Sequence, residues 1–339
     1  MTFKMTVATN VGLVRSNNED NFIVNPDLTK VDEWFAPANV ADPISLGEYG
    51  CILVVADGMG GMNAGEVASA IAVETIKKEF SSADLGKIKE TVSRIEKFMT
   101  HVVEVADANI KKKGKEDNST SGMGTTVVIA WIVDGVINLC WCGDSRAYVF
   151  NPSSGLVRLS KDHSYVQQLV DDGKLNEELA FDHPDSNIIT RSLGDTYKKA
   201  VPDFLTKQIS ENDRILLCSD GLCGLCRDEE ILKTMMQNKE DLEKCKNELI
   251  SAALAAGGYD NVTIALFETV SLPQSETDMT LTSNEMAESK NRKKRTKLIV
   301  SLTVVLSIIA ILFAWIYFTG KSQEILNCVK NIWTSLSSK

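Results

Sequence analysis

The sequence predicts a layered α+β fold: an antiparallel β-sandwich flanked by α-helices on both sides, followed by one C-terminal transmembrane helix. Three observations carry this expectation. Short runs such as "CILVVA" and "RILLC" are apolar at every position, so both faces of those strands need cover. Between them lie longer segments with apolar residues three and four apart, which suit helices laid outside the sheets. Near the C-terminus, Leu298 to Phe318 are 21 consecutive uncharged residues. As a helix they extend about 31 Å, against a hydrocarbon layer of about 30 Å.

Taken in order, residues 3–9 read as the first strand and 51–56 as the next. "VVADGMGG" (54–61) ends that strand on Asp57 and gives way to glycines, which permit a sharp exit into a helix over 64–80. A stronger helical period runs from Ile88 through Val92, Ile95, Met99, Val102 and Ala106. "SGMGTTVVIAWIVDGVINLCWCGD" reads as a hairpin turning at Asp134-Gly135. Strands at 146–150, 213–218 and 262–268 and a helix at 240–256 complete a domain spanning 1–270. Residues 164–195 are polar and loop-rich, and residues 27–49 form a long connection without an assigned role.

The remaining segments concern the membrane. "SLPQSETDMTLTSNEMAESK" opens a flexible linker, 271–297, which ends with five basic residues between Arg292 and Lys297. A basic flank on that side of the span 298–318 places the domain in the cytoplasm, on a single-pass protein of the cell membrane. Trp315 and Tyr317 suit the interface at the far end. The tail, 319–339, carries Ile325, Leu326, Val329, Ile332, Trp333 and Leu336 at the spacing of an amphipathic helix.

Composition narrows the function. The 339 residues are 44% hydrophobic, enough for a sizeable core. Residues 1–270 hold 27 basic and 41 acidic side chains, which excludes nucleic acid as a partner because that needs a basic face. The eight cysteines sit mostly in apolar runs, as small hydrophobes of a reducing compartment. The start, "MTFKMTVATN", lacks the apolar stretch of a signal peptide.

Acidic residues punctuate the strands. "CILVVADG", "INLCWCGD" and "RILLCSDG" end on Asp57, Asp144 and Asp220, "GGYDNVTIALFE" sets Asp260 just before a strand, and "RSNNED" adds Glu19 and Asp20. Singly, each is a turn or cap residue. Together they differ, because strand ends of one sandwich open onto a shared edge, where several carboxylates repel unless hard cations lie between them. Oxygen donors without His or Cys point to Mg²⁺ or Mn²⁺ rather than Zn²⁺. A strand fixes Asp57, and Gly58 lets its own carbonyl come close enough to serve as a ligand.

Across residues 3–268 the chain resembles the metal-dependent serine/threonine protein phosphatases of type 2C. "GLVRSNNED", "VVADGMGGMNAGEVAS", "GMGTTVV", "CGDSRAYVF", "LSKDHS", "ITRSLG", "ILLCSDGL" and "DNVT" occur in register. The resemblance implies that Asp57 bridges two metal ions, with Asp220 and Asp260 completing one site and Asp20 and the Gly58 carbonyl the other. It further implies a third, weaker ion on Asp144 and Asp220, as in the bacterial branch, and support of the second site by Glu19 through water. The activity implied is hydrolysis of phosphoserine and phosphothreonine in proteins by an activated water, with Arg15 clamping the phosphate in a bidentate fork. Anchored at a membrane, such an enzyme is expected to be a monomer whose phosphoprotein substrates include membrane-bound serine/threonine kinases and their targets.

One position departs from the pattern: eukaryotic members carry a His general acid where Met59 stands, and Met has no proton to donate. His163 is expected to be structural, and His101 and His183 uninvolved. In this family residues 164–195 make a flap beside the site. The alternative is a catalytically weak, membrane-tethered phosphoprotein-binding module of the same fold, against which stands the retention of every aligned metal position. Cys140 and Arg146 have the spacing of cysteine-dependent phosphatases, yet Leu139 precedes the cysteine and the loop lacks the glycines that let backbone amides encircle phosphate. "CGLC" at 223–226 has neither a second pair nor a histidine with which to hold zinc.

Overall fold

Runs that are apolar at every position become the inner strands of two stacked sheets. The computed structural model describes residues 1–30, 34, 40–60, 64–272, 327 and 331, and Met1–Pro273 form one unit by their contacts. In chain order, β1 (Thr2–Asn10), β2 (Asn21–Asn25), β3 (Val40–Ser45), β4 (Cys51–Ala56) and the two-residue β5 (Gly58–Met59) precede α1 (Gly65–Ser82), α2 (Leu85–Ile88) and α3 (Val92–Glu116). Then come β6 (Gly124–Thr125), β7 (Val127–Val133), β8 (Val136–Cys142), β9 (Arg146–Asn151), β10 (Gly155–Arg158), α4 (Tyr165–Asp171) and α5 (Glu177–Ala180). The domain closes with β11 (Asp203–Gln208), β12 (Arg214–Cys218), α6 (Asp220–Cys223), α7 (Asp228–Gln237), α8 (Leu242–Ala255) and β13 (Val262–Ser271).

One sheet has the order β10-β9-β12-β13-β1-β3 and the other β11-β8-β7-β4-β2, with antiparallel pairing throughout. Alternation along each strand divides its side chains between two cores. In β4, Cys51, Leu53 and Val55 face the other sheet, whereas Ile52, Val54 and Ala56 join Ala72, Ile76, Met99 and Val102 of α1 and α3. In β12, Ile215 and Leu217 face inward, and Leu216 and Cys218 pack with Met235 and Leu249 of α7 and α8. Helices therefore cover both outer faces, and the expected architecture holds for the domain.

Several boundaries differ from the sequence reading. Ile88 closes α2, and α3 starts afresh at Val92, where the Thr91 hydroxyl accepts from the Arg94 N–H. The hairpin turns where expected, with Asp134 at φ 51° and Gly135 at φ 74°, the left-handed pair of a type I′ turn. The 27–49 connection is partly structured: β3 pairs with β1 at the sheet edge. Residues 164–195 contain α4 and α5. Strands β3, β10 and β11 lie at edges, where one-sided cover leaves too weak a pattern to read. The span expected at 298–318 lies outside the described residues, as do the linker and tail apart from 271, 272, 327 and 331. Among the described residues no helix is long and apolar enough to cross a membrane.

Candidate functional site

Antiparallel register brings the acidic residues to one edge of the sandwich. Asn10 pairs with Val262, Cys218 with both Ile264 and Arg146, Asn21 with Ala56, and Val127 with Cys142. Asp20, Asp57, Asp144, Asp220 and Asp260 all lie just beyond these paired ends.

Each is held by its own element. The Asp57 carbonyl accepts from Thr125 Oγ1 (2.8 Å) and from the Thr126 N–H (2.9 Å), and its N–H donates to Thr126 Oγ1 (3.2 Å). Gly58 pairs with Thr125, and a Cβ at Gly58 would stand 2.3 Å from the Gly65 carbonyl oxygen and 2.5 Å from that of Glu19. Only glycine fits there. Asp220 opens α6 directly after Ser219. Ser219 Oγ donates to Asp20 Oδ2 (2.7 Å) and accepts from the Thr263 N–H (2.9 Å), tying three segments together. Asn261 is a second strut: its Oδ1 accepts from the Glu19 N–H (2.7 Å), and its Nδ2 donates to the carbonyls of Val11 and Asn17, both at 2.9 Å. Arg15, half-exposed, reaches Asp260 Oδ2 through Nη2 at 2.7 Å.

Burial and mutual repulsion dominate the electrostatics. Burial, then repulsion from Asp220, Asp20 and Asp144, holds the Asp57 carboxyl well above the usual range, and it shares a hydrogen bond with Asp220. Asp144 is raised well above it by burial and Asp220, and Asp220 is raised by burial and Asp260. Burial lifts Asp20 to about 8 against the hydrogen bonds that favour its charge. Glu19 is raised by burial and by Glu66. Asp20 Oδ1, Asp144 Oδ1 and Asp220 Oδ1 are buried without a hydrogen-bond partner among the described residues. Buried carboxylates in this state require either protons or cations. The donor set, oxygen throughout, fits a hard divalent ion. Among the described residues no three His, Cys, Asp or Glu side chains meet as a finished ion cage; the acids instead lie within electrostatic reach of one another.

The other motifs are accounted for by packing. Arg146 is held by Asp162 through Nε and Nη2 (2.7–3.1 Å) and by the Tyr148 hydroxyl (3.1 Å). Cys140 is fully buried and its thiol pushed up by burial, so the cysteine-phosphatase spacing carries no nucleophile. Cys223 and Cys226 are buried in the core beneath α7 and α8. His163 accepts from the Gly143 N–H at Nδ1 (3.1 Å), lies 3.2 Å from Asp203 at Nε2, and stacks on Trp141. It therefore braces the residue before Asp144. His183 caps a turn through Asp185, and His101 is exposed on α3. Ser219, Asn261 and Thr126 carry no assignment from the sequence, although Ser219 and Asn261 are buried polar residues directly next to Asp220 and Asp260. That adjacency marks these two, whereas Thr126, between Thr125 and Val127, has no such signal.

A Protein phosphatase 2C family model matches residues 44–263. Serine/threonine phosphatase stp of Listeria monocytogenes is 33% identical over 217 residues, 64% of this chain and 84% of that one. Among solved structures, the serine/threonine phosphatase Stp1 of Staphylococcus aureus is 30% identical, with a TM-score of 0.67, over 79% of this chain and 95% of that one. The catalytic domain of the serine/threonine protein phosphatase PstP, solved in complex with two manganese ions, is 28% identical, with a TM-score of 0.62, over 80% of this chain and 99% of that one.

Proposed function

The chain belongs to the bacterial branch of the protein phosphatase 2C family of serine/threonine phosphatases, and we propose that its acidic edge hydrolyses phosphoserine and phosphothreonine in proteins with two Mn²⁺ or Mg²⁺ ions. The observation that carries this reading is the set of buried, partnerless carboxylate oxygens on Asp20, Asp144 and Asp220, in surroundings that offer only oxygen donors. Asp57, Asp220 and Asp260 would hold one ion, and Asp57, Asp20 and the Gly58 carbonyl the other, with Glu19 supporting the second. Asp144 and Asp220 together suit a third, weaker ion. Ions bound there supply positive charge for the phosphate and lower the pKa of water toward neutrality.

The chain's own residues do the rest. Arg15, half-exposed and held by Asp260, can turn its fork onto two phosphate oxygens. Ser219 and Asn261 fix the two acidic segments against the strands, so the donors meet the substrate without rearrangement. Met59 offers no proton and both ring nitrogens of His163 are engaged, so neither side chain supplies the proton of the departing alcohol.

The test is hydrolysis of p-nitrophenyl phosphate in Mn²⁺. Asp57→Asn should give a folded protein with negligible turnover, EDTA should abolish wild-type activity, and thiol alkylation should leave it. Turnover near the wild-type level in the variant would overturn the assignment. Attachment to the membrane through 298–318 rests on the uncharged run and its basic flank. It would place phosphoproteins of the inner face, membrane-bound kinases among them, within reach. The full chain should sediment with membranes and a chain lacking 298–339 should not; equal sedimentation would end that part of the reading.

A further inference from the structure

The flap forms one wall of a cleft of about 460 Å³, whose other wall is the start of α6 and α7 and whose floor reaches Asp144, Asp220 and Asp260. The outer part of this wall has little hydrophobic hold. α5 contains no buried residue, and Leu179 at its centre is 62% exposed. Charge fastens it instead. Arg227 Nη2 lies 2.5 Å from Asp182 Oδ2, and the Arg227 guanidinium carbon stands 4.2 Å from the centre of the Phe181 ring. Arg158 Nη2 lies 2.9 Å from Glu177 Oε1. Both arginines belong to the body of the domain: Arg158 ends β10, and Arg227 caps α7, its N–H donating to Glu230 Oε2 at 2.9 Å.

Resting on the phosphatase reading, we propose that Arg227, supported by Arg158, is a positioning residue that holds the flap as a ready-made wall for the peptide around the phosphorylated side chain. Arg227 thereby sets how well protein substrates bind and leaves the hydrolytic step untouched. A phosphate group alone needs only the acidic edge, whereas the cleft extends beyond it to the flap. An unfastened wall must be ordered each time a peptide binds, and that loss appears in KM rather than in kcat. Half-exposed ion pairs and cation–π contacts are each worth a factor of a few in an equilibrium, enough to bias the flap without locking it.

The experiment compares wild type, Arg227→Gln, Asp182→Asn and the exchange Asp182→Arg/Arg227→Asp on two substrates in Mn²⁺: p-nitrophenyl phosphate and a synthetic phosphothreonine peptide. For the peptide, KM should rise about fivefold in Arg227→Gln and about twofold in Asp182→Asn, with kcat nearly unchanged. Turnover of p-nitrophenyl phosphate should not move. The exchange restores the ion pair but not the Arg227–Phe181 contact, so it should bring the peptide KM back to about two- to threefold above wild type. The gap between Arg227→Gln and wild type should narrow with added salt as the ion pair is screened. Amide hydrogen exchange over 176–188 should accelerate in Arg227→Gln. An unchanged peptide KM, a parallel loss on p-nitrophenyl phosphate, or unchanged exchange would overturn the proposal. A wild-type protein inactive on both substrates would overturn the phosphatase reading instead, and the exchange difference, which needs no turnover, would still decide whether these bonds fasten the flap.

Discussion

Asn261 shows what one side chain does at this edge. Buried at 4% exposure, it satisfies the Glu19 N–H and two carbonyls of the loop that carries Arg15. Asn261→Ala would remove all three of these hydrogen bonds at a part-buried junction, at a cost of about 1–3 kcal/mol in stability. Asn261→Asp keeps the acceptor, loses both donors and adds a charge to an already crowded acidic edge. We expect both variants to melt lower and Asn261→Asp to lose more phosphatase activity than Asn261→Ala. Denaturant titration and p-nitrophenyl phosphate turnover check this, and equal activity in the two would show that the added charge is not felt. The acids themselves are legible from strand ends, whereas "DNVT" by itself gives Asn261 no role. Its partners lie some 240–250 positions away in sequence, and no local pattern marks them.

At the scale of elements, the glycine of "SDG" has a reason that the sequence did not disclose. A Cβ on Gly221 would stand 2.0 Å from the Asn261 carbonyl oxygen, because α6 crosses the start of β13 at backbone contact. Gly221→Ala must therefore push α6 away from β13 and carry Asp220 away from Asp260. The expected cost is about 1–3 kcal/mol in stability and about a hundredfold in kcat/KM, the scale of effect for a misplacement near 1 Å. Thermal melting and steady-state kinetics measure both, and activity within twofold of wild type would mean that the crossing tolerates the methyl. Inner strands such as β4 and β12 were readable because both faces are apolar. Edge strands β3 and β11 were not, since one face meets solvent and their pairing depends on a neighbour distant in sequence.

For the whole molecule, the acidic edge makes stability depend on pH. Burial and repulsion raise the carboxyls of Asp20, Asp57, Asp144 and Asp220 in the folded state, so folding favours their neutral forms. The stability from those protons is fully present below the unfolded carboxyl range, about pH 4. It is lost as pH climbs through the folded values, which for Asp20 means about 8. Divalent ions compete with the same protons. In EDTA this edge should therefore stabilise the fold less at pH 8 than at pH 5.5, and the rise in Tm on adding Mn²⁺ should be larger at pH 8. A Mn²⁺ shift that is the same at both values would show that the ions and the protons do not share these groups.

The sequence by itself determined the inner strands, the covering helices α1, α3 and α8, the two-residue hairpin turn and the acidic residues at the strand ends, because periodicity, turn chemistry and burial of apolar runs are local consequences of side-chain type. Only the tertiary structure decided which distant backbone groups Ser219 and Asn261 satisfy, why Gly58 and Gly221 tolerate no side chain, and that Arg227 and Arg158 fasten the flap. Those facts depend on contacts between segments up to some 250 residues apart. The packing of two sheets against each other, and not the order of the residues, sets those distances.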